Sequence, residues 1–160
     1  MLCLSDEEAT IAVGGKLAPL LLPGMVVWFE GDLGAGKTTL VRALLRGLGY
    51  AGPVKSPTYS LVEVYVVSSL YWYHFDFYRF SEPGEFEDAG LGEYFRDDSV
   101  CLVEWPEKAV GYVPSPDLAL VFRFAQNANG YGRRLELQAR SEAGRKCLSE
   151  FKRLQADGAN

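Results

Sequence analysis

The stretch Gly31-Asp32-Leu33-Gly34-Ala35-Gly36-Lys37-Thr38 decides the fold of this 160-residue chain. It matches the phosphate-binding pattern G-x-x-x-x-G-K-[ST] at every fixed position. In such a loop the glycines let successive backbone N–H groups face one anion, and the following helix directs its positive end at the same place. The lysine reaches the β- and γ-phosphates, and the threonine hydroxyl binds Mg²⁺. The stretch therefore predicts a site for a nucleoside triphosphate and its magnesium ion.

The residues on either side of the loop have the patterns that this motif requires. The continuous apolar run 25–29 predicts a strand that is covered on both faces, as in a parallel sheet. Residues 37–48 carry leucine and valine at helical spacing, which predicts an amphipathic helix with Gly49 as its cap. A strand, a loop and a helix, followed by further strands, indicate the α/β class.

Local patterns predict the remaining elements. A capping box formed by Ser5 and Glu8 predicts that the first helix begins at Ser5 and runs toward residues 17–22. Strands over 61–67 and 70–75, joined at Ser68-Ser69, predict a hairpin. The other expected elements are short helices over 83–95, a strand over 100–104, two edge strands over 118–124 and 134–139 joined by a turn over 126–132, and a helix over 141–154 that begins at an N-cap serine.

Length and composition predict one domain over residues 1–160, with a frayed tail from about residue 155. Hydrophobic residues make up 48% of the chain and charged residues 23%, which is typical of a globular protein. The 16 basic residues are outnumbered by 21 acidic ones, for a net charge of −5. Because affinity for nucleic acids comes mainly from Lys and Arg on phosphates, we expect no autonomous nucleic-acid binding.

The three cysteines Cys3, Cys101 and Cys147 are widely spaced and, with the single histidine, form no metal-binding pattern. They fit reduced thiols in a cytoplasmic protein. The acidic N-terminus lacks the basic region of a signal peptide. No apolar stretch approaches the ~20 residues of a membrane span. We therefore expect a cytoplasmic protein without membrane contact.

Two carboxylates end predicted strands and are candidates for the catalytic side of the site. Asp76 follows the strand over 70–75, and Glu104 follows four apolar residues. Either one could bind Mg²⁺ while the other orients the attacking water. Thr58 lies in a loop after the first phosphate-loop helix, where it could close over the γ-phosphate, although a plain proline turn also fits.

Three further side chains have open interpretations. Trp105 could stack on a base or pack within the protein. His74 is interpreted as a strand residue with a satisfied hydrogen bond, and Arg79 as an arginine that packs structurally or neutralises phosphate charge.

Four blocks carry a resemblance to a known family. They are residues 31–39 (GDLGAGKTT), 54–63 (VKSPTYSLVE), 73–79 (YHFDFYR) and 101–107 (CLVEWPE), in this order. Together they resemble the TsaE family, bacterial ATPases of threonylcarbamoyladenosine tRNA modification, over roughly residues 4–110. Ser60, Val64 and Phe77 depart mildly from the family pattern and leave the chemical groups intact.

The resemblance implies a three-layer α/β/α P-loop NTPase fold with a central, mostly parallel, mixed sheet. It implies ATP and Mg²⁺ as the bound groups, and a weak Mg²⁺-dependent ATPase activity that partner proteins stimulate. Those partners would be TsaB and TsaD, of which TsaD transfers the threonylcarbamoyl group to N6 of adenosine 37 in tRNAs reading codons that start with A. The protein would reach tRNA only through that complex.

The resemblance also assigns roles to individual residues. Catalysis would involve Asp76, Glu104, Lys37 and Thr58. Mg²⁺ would be held by Thr38, Glu104 and Asp76. The nucleotide would be bound by Gly31, Asp32, Leu33, Gly34, Ala35, Gly36, Lys37, Thr38, Thr39 and Glu7.

Three other functions are compatible with a phosphate loop. A small-molecule kinase usually has a basic lid, whereas residues 79–98 are acidic. A GTPase would carry Asn-Lys-x-Asp to recognise guanine, and the sequence lacks that motif. A regulatory protein could bind ATP as a ligand without turnover, but the two carboxylates favour hydrolysis.

Overall fold

The computed structural model describes residues 2–127 and 130–158. In this part of the chain, seven strands form one sheet: β1 (Leu2–Leu4), β2 (Val26–Glu30), β3 (Val62–Val67), β4 (Leu70–Asp76), β5 (Ser99–Glu104), β6 (Leu118–Asn127) and β7 (Gly130–Ala139). The α-helices are α1 (Glu7–Leu17), α2 (Lys37–Gly47), α3 (Glu85–Asp88) and α4 (Glu142–Gly158), and short 3₁₀ turns cover Ala18–Leu20, Leu91–Tyr94 and Pro106–Ala109.

The sheet is mixed, with strand order β1-β7-β6-β2-β5-β4-β3. The four central strands, β6, β2, β5 and β4, are parallel to one another. The outer pairs β1–β7, β6–β7 and β3–β4 are antiparallel. Because β2, β5 and β4 run in the same direction, their carboxyl ends meet at one edge of the sheet, where ligands bind in open α/β folds.

Both faces of the sheet are covered, which gives the expected three-layer α/β/α arrangement. One face packs against α1, α2 and α4 through a large apolar core. The other face is covered by α3, the neighbouring 3₁₀ turns and their connections, and its core is rich in phenylalanine. This second layer is built from short segments, which confirms the short helices predicted over 83–95.

The elements around the phosphate loop form where the sequence predicts them. The strand and the helix that flank the loop are β2 and α2, and Gly49 adopts a left-handed conformation (φ +92°) just after α2. The predicted β3–β4 hairpin turns at Ser68 and Ser69, both with positive φ (53° and 64°). Positive φ at both central residues matches the right-handed twist of the strands.

The capping residue of the first helix lies one position later than expected. The residue that caps α1 is Asp6, whose Oδ1 accepts the backbone N–H of Ala9 at 2.9 Å, and not Ser5. Residues 2–4 form β1, a strand that the sequence analysis did not predict. It pairs with β7, so its stability comes from a distant segment and not from a local pattern.

Two further expectations at the C-terminal end are wrong. β6 and β7 are inner strands and not edge strands, because β6 pairs with β2 and β7 is covered by β1. Residues 155–158 belong to the last turn of α4, where a frayed tail was expected. Gln155 ties this turn to α1, since its Oε1 accepts a hydrogen bond from Lys16 Nζ at 2.7 Å. Residues 128 and 129 of the predicted turn, and residues 159 and 160, lie outside the described residues.

The cysteines are all free thiols, as expected. Burial raises the pKa of Cys101 to about 12 and that of Cys147 to about 11, so both stay protonated at neutral pH. No helix within residues 2–127 and 130–158 combines the length and the apolar character that crossing a membrane would require.

The close packing of α1 on α2 generates a stability prediction. A Cβ at Gly14 would lie 2.5 Å from the Cβ of Ala43 on α2, whereas a Cβ at the adjacent Gly15 would meet nothing within 4 Å. Gly14→Ala should therefore lower the free energy of unfolding by about 1–3 kcal/mol through overpacking. Gly15→Ala, the matched control, should raise it by up to about 1 kcal/mol because alanine favours helix. Urea unfolding measures both, and equal effects would contradict this packing.

Candidate active site

The phosphate loop connects β2 to α2 in a conformation that depends on its glycines. Gly31, Gly34 and Gly36 have φ values of +149°, +77° and +105°. At Gly31 a Cβ would also lie 2.8 Å from the carbonyl oxygen of Phe122 on β6. Only glycine therefore fits at position 31, because the backbone conformation is unfavourable for other residues and a Cβ would clash with the carbonyl oxygen of Phe122.

Lys37, the first residue of α2, is buried against the loop itself. Its side chain is only 4% exposed, and Nζ donates a hydrogen bond to the carbonyl oxygen of Gly31 at 2.5 Å. Nζ also lies 3.6 Å from the ring centroid of Trp105, within cation–π range. Burial lowers the pKa of Lys37, and nearby carboxylates, Glu104 foremost, oppose that shift.

Trp105 follows β5 in a left-handed conformation (φ 58°, ψ 49°), which a bulky side chain rarely adopts. The turn brings its ring over Lys37 and to 5.0 Å from the ring of Tyr78. The ring therefore packs against Lys37 and Tyr78, and its stacking on a base stays a prediction. The residues that Trp105 packs against are part of the site.

Glu104 is the central carboxylate of the site. It ends β5, is 3% exposed, and accepts hydrogen bonds from the hydroxyl of Thr38 at 3.1 Å (Oε1) and 3.0 Å (Oε2). Its Oε2 also lies 2.5 Å from Nε2 of His74, which is fully buried on β4. The interpretation of His74 as a hydrogen-bonded strand residue is confirmed, and its partner is a candidate metal ligand.

Asp76 ends β4 directly beside Glu104, its partner in the parallel register of β4 and β5. Its Oδ1 accepts the backbone N–H of Tyr78 at 3.0 Å. Burial raises the pKa of Asp76 above its usual 3.8, the Tyr78 N–H opposes this, and the negative charge of Glu104 adds to it. A carboxylate with a raised pKa is a better proton acceptor than a free aspartate.

These groups line a cleft of about 310 Å³ at the carboxyl edge of the sheet. Thr58 contributes to its wall together with Ser56, and their hydroxyl oxygens are 2.7 Å apart. The lining residues come from the phosphate loop, the loop after α2, the ends of β4 and β5, and β7: Leu33, Gly34, Gly36, Lys37, Thr38, Thr39, Ser56, Thr58, Asp76, Tyr78, Arg79, Glu104, Trp105 and Arg133.

Four of the expected site residues are not in the cleft wall. Gly31, Asp32 and Ala35 belong to the loop but do not line the cleft, and Ala35 is buried beneath it. Glu7 is exposed in the first turn of α1 and is also absent from the lining.

Sequence reasoning missed Arg133, Ser56 and Tyr78. Arg133 on β7 donates from Nη2 to the carbonyl oxygen of Gly34 at 3.1 Å. No local motif surrounds this arginine. Only the pairing of β7 in the sheet brings it to the phosphate loop, so its sequence neighbours give no signal. Ser56 and Tyr78 flank Thr58 and Asp76 in two of the quoted blocks, so their position next to candidate residues was an available signal.

Arg79 also lines the cleft, and it stacks on the ring of Tyr59 with 4.3 Å from guanidinium carbon to ring centroid. Tyr59 is 82% exposed, so this stack lies at the protein surface. It links the loop that carries Thr58 to the segment after β4.

The family model described as "Threonylcarbamoyl adenosine biosynthesis protein TsaE" matches residues 4–135. The chain belongs to the TsaE family. The match extends well past residue 110 and takes in β6 and the part of β7 that carries Arg133.

Relatives of this TsaE-family chain are similar over most of its length. The tRNA threonylcarbamoyladenosine biosynthesis protein TsaE of Haemophilus influenzae is 42% identical over 153 residues, covering 92% of this chain and 94% of that protein. The protein of the same name from Bacillus subtilis is 42% identical over 120 residues, 75% of each chain. The crystal structure of Bacillus subtilis YdiB superposes with a TM-score of 0.78 and 30% identity, covering 96% of this chain and 94% of that one.

The raised pKa of Asp76 gives a prediction about stability and pH. Because the folded-state pKa lies above the usual 3.8, ionisation of this group favours the unfolded chain. The wild type should lose free energy of unfolding, relative to Asp76→Asn, as the pH rises from 3.8 through the raised pKa toward neutral. Asp76→Asn should therefore be at least as stable as the wild type at neutral pH.

Urea unfolding over this pH range tests the expectation for Asp76. The matched control is Asp88→Asn, which changes an exposed aspartate on α3 and should stay within about 0.5 kcal/mol of the wild type. A wild type that gains stability over Asp76→Asn as the pH rises would contradict the assigned sign.

Proposed function

We propose that the protein is a Mg²⁺-dependent ATPase required for the threonylcarbamoyl modification of N6 of adenosine 37 in tRNAs that read codons starting with A. In this proposal it acts with TsaB and TsaD, does not itself transfer the group, and works in the cytoplasm. The observation that carries the proposal is the contact between Thr38 and Glu104, 3.0–3.1 Å apart, beside a buried Lys37.

The residues present fit ATP with magnesium. Three glycines with positive φ leave the loop free of side chains that would block an anion, and Lys37 supplies a positive charge at the cleft floor. Lys37 and the loop N–H groups would hold the phosphates, with Leu33, Gly34, Gly36 and Thr39 along the wall. Asp32, Ala35 and Gly31 would contribute to phosphate binding through the loop backbone. Glu7 would contact the nucleotide from the first turn of α1.

Mg²⁺ would be held by Thr38 and Glu104, with Asp76 at the end of the adjacent strand as the further candidate. Hydroxyl and carboxylate oxygens are the ligands that Mg²⁺ prefers, with phosphate oxygens and water completing its shell. When bound, the ion neutralises the charge that develops on phosphate oxygens.

The chain's own groups divide the remaining work. Asp76, with Oδ1 held by the Tyr78 N–H, keeps a carboxylate of raised pKa that can orient a water molecule and accept its proton. Thr58 also lines the cleft, where its hydroxyl contacts that of Ser56, and it would close over the γ-phosphate. The stack of Arg79 on Tyr59 links the loop that carries Thr58 to the segment after β4.

Net charge and the names of relatives together favour an indirect action on tRNA through partner proteins. The net charge of −5 disfavours a surface that grips phosphates unaided. Relatives that are 42% identical are named tRNA threonylcarbamoyladenosine biosynthesis proteins, so the expected target is nonetheless a tRNA. An ATP-driven step on a complex that holds the tRNA reconciles the two.

The experiment that tests the function measures ATP hydrolysis with and without Mg²⁺, alone and with purified TsaB and TsaD. We expect a slow basal rate that requires Mg²⁺ and rises when both partners are present. An ATP hydrolysis rate that does not change when TsaB and TsaD are added would contradict the partner-dependent function. It would favour a small-molecule kinase or an ATP-sensing protein.

Lys37→Met should remove nucleotide binding without unfolding the protein. Its burial lowers the pKa of the ammonium, so the charge itself does not stabilise the fold, and methionine retains the apolar stem. ATP at about one hundred times its Kd should add roughly 2.7 kcal/mol to the wild-type free energy of unfolding and nothing to that of the variant.

Thermal or urea unfolding with and without ATP and Mg²⁺ provides this measurement. Lys152→Met, a change at an exposed position of α4, is the matched control and should respond to ATP as the wild type does. In cells lacking the native protein, Lys37→Met should also fail to restore the tRNA modification, and full restoration would overturn the proposed mechanism.

A further inference from the structure

His74 occupies a position that suits a supporting role for Glu104. Alternation along β4 places His74 on the sheet face covered by α2, the same face as Trp72 and Asp76. The imidazole is completely buried, and its Nε2 is 2.5 Å from Oε2 of Glu104 on the neighbouring strand. A polar ring at this depth needs a specific partner, and it has one.

The direction of this hydrogen bond follows from the chemistry of the two groups. Glu104 already accepts from the hydroxyl of Thr38 and faces the positive charge of Lys37, so its carboxylate acts as an acceptor only. Nε2 of His74 must then carry the hydrogen. Nδ1 has no hydrogen-bond partner among the described residues, and a hydrogen there would leave a buried N–H unpaired. A ring that carries its hydrogen on Nε2 and donates it to Glu104 satisfies both conditions.

The two donors on Glu104 are not equivalent. The Thr38 hydroxyl lies at nearly equal distances from Oε1 and Oε2, 3.1 and 3.0 Å, so it does not distinguish between the oxygens. His74 contacts Oε2 alone. Oε1 therefore has one hydrogen-bond donor and Oε2 has two, so Oε1 keeps more of its acceptor capacity for another ligand.

We propose that His74 is a positioning residue that holds the Glu104 carboxylate with Oε1 available to a divalent cation. The proposal rests on the proposed function, because it assumes that Glu104 binds Mg²⁺ together with Thr38. Without the imidazole, Glu104 keeps one ambiguous contact and remains beside the negative charge of Asp76, which favours other rotamers. Mutation of a group that orients a metal ligand in this way costs about 10–100-fold in metal affinity or activity.

The test compares amide side chains that differ in reach. In His74→Gln the amide nitrogen can stand close to the place of Nε2, whereas in His74→Asn the shorter chain holds it near the place of Nδ1 and away from Glu104. His74→Leu removes the donor altogether. Trp72→Phe is the matched control, because Trp72 is 2% exposed on the same face of β4 and makes no hydrogen bond through Nε1 among the described residues.

The measured quantity is the Mg²⁺ concentration that gives half-maximal ATP hydrolysis by the full chain, together with nucleotide affinity in the absence of Mg²⁺. We expect His74→Asn and His74→Leu to need about 10–100-fold more Mg²⁺. Nucleotide affinity without Mg²⁺ should stay at the wild-type value. His74→Gln should restore most of the wild-type Mg²⁺ dependence, and Trp72→Phe should not change it.

Each other outcome contradicts a specific statement. If His74→Asn and His74→Gln have the same Mg²⁺ requirement, the donor at Nε2 has no positioning role, and this holds even if His74→Leu does not fold. An equal shift in Trp72→Phe would reduce His74 to a packing residue and overturn the proposal. Wild-type hydrolysis that does not depend on Mg²⁺ would instead overturn the proposed function itself.

Discussion

A lysine ammonium held almost entirely out of water is the constraint around which the site is arranged. Lys37 is 4% exposed, and an unpaired buried charge would cost several kcal/mol. The surroundings offset that cost with the carbonyl oxygen of Gly31, the ring of Trp105 and the charge of Glu104. The left-handed backbone at Trp105 is part of the same compensation, because that turn carries the indole over the ammonium.

The negative side of the site is under a similar constraint. Asp76 and Glu104 end adjacent parallel strands, so the register of the sheet itself brings two buried carboxylates together. Burial, and to a smaller extent the charge of Glu104, raises the pKa of Asp76, which weakens the fold at neutral pH. The hydroxyl of Thr38 on α2 and the imidazole of His74 on β4 form hydrogen bonds with Glu104, and these contacts offset part of the cost of burying its carboxylate.

Topology explains why these groups meet. The parallel strands β2, β5 and β4 place the phosphate loop, Glu104 and Asp76 at one edge of the sheet. On the other side of β2, the antiparallel β6–β7 pair places Arg133 against Gly34 of the loop. The flanks of the phosphate loop, the β3–β4 hairpin and the serine cap of α4 could be predicted, because each depends on neighbouring residues. The inner positions of β6 and β7 could not, because β6 is enclosed by its pairing with the distant β2, and β7 by β1, a three-residue strand that forms only by pairing with β7.

The sequence alone determined the phosphate loop with its strand and helix, and the residue types at the ends of β4 and β5. Those features lie in contiguous stretches where backbone preference and side-chain chemistry act locally. The contacts of Glu104 with His74 and Thr38, and of Arg133 with Gly34, join residues 30, 66 and 99 positions apart. Only the tertiary structure decided them, because the pairing and register of strands place such side chains together, and register is set by the whole sheet rather than by either segment.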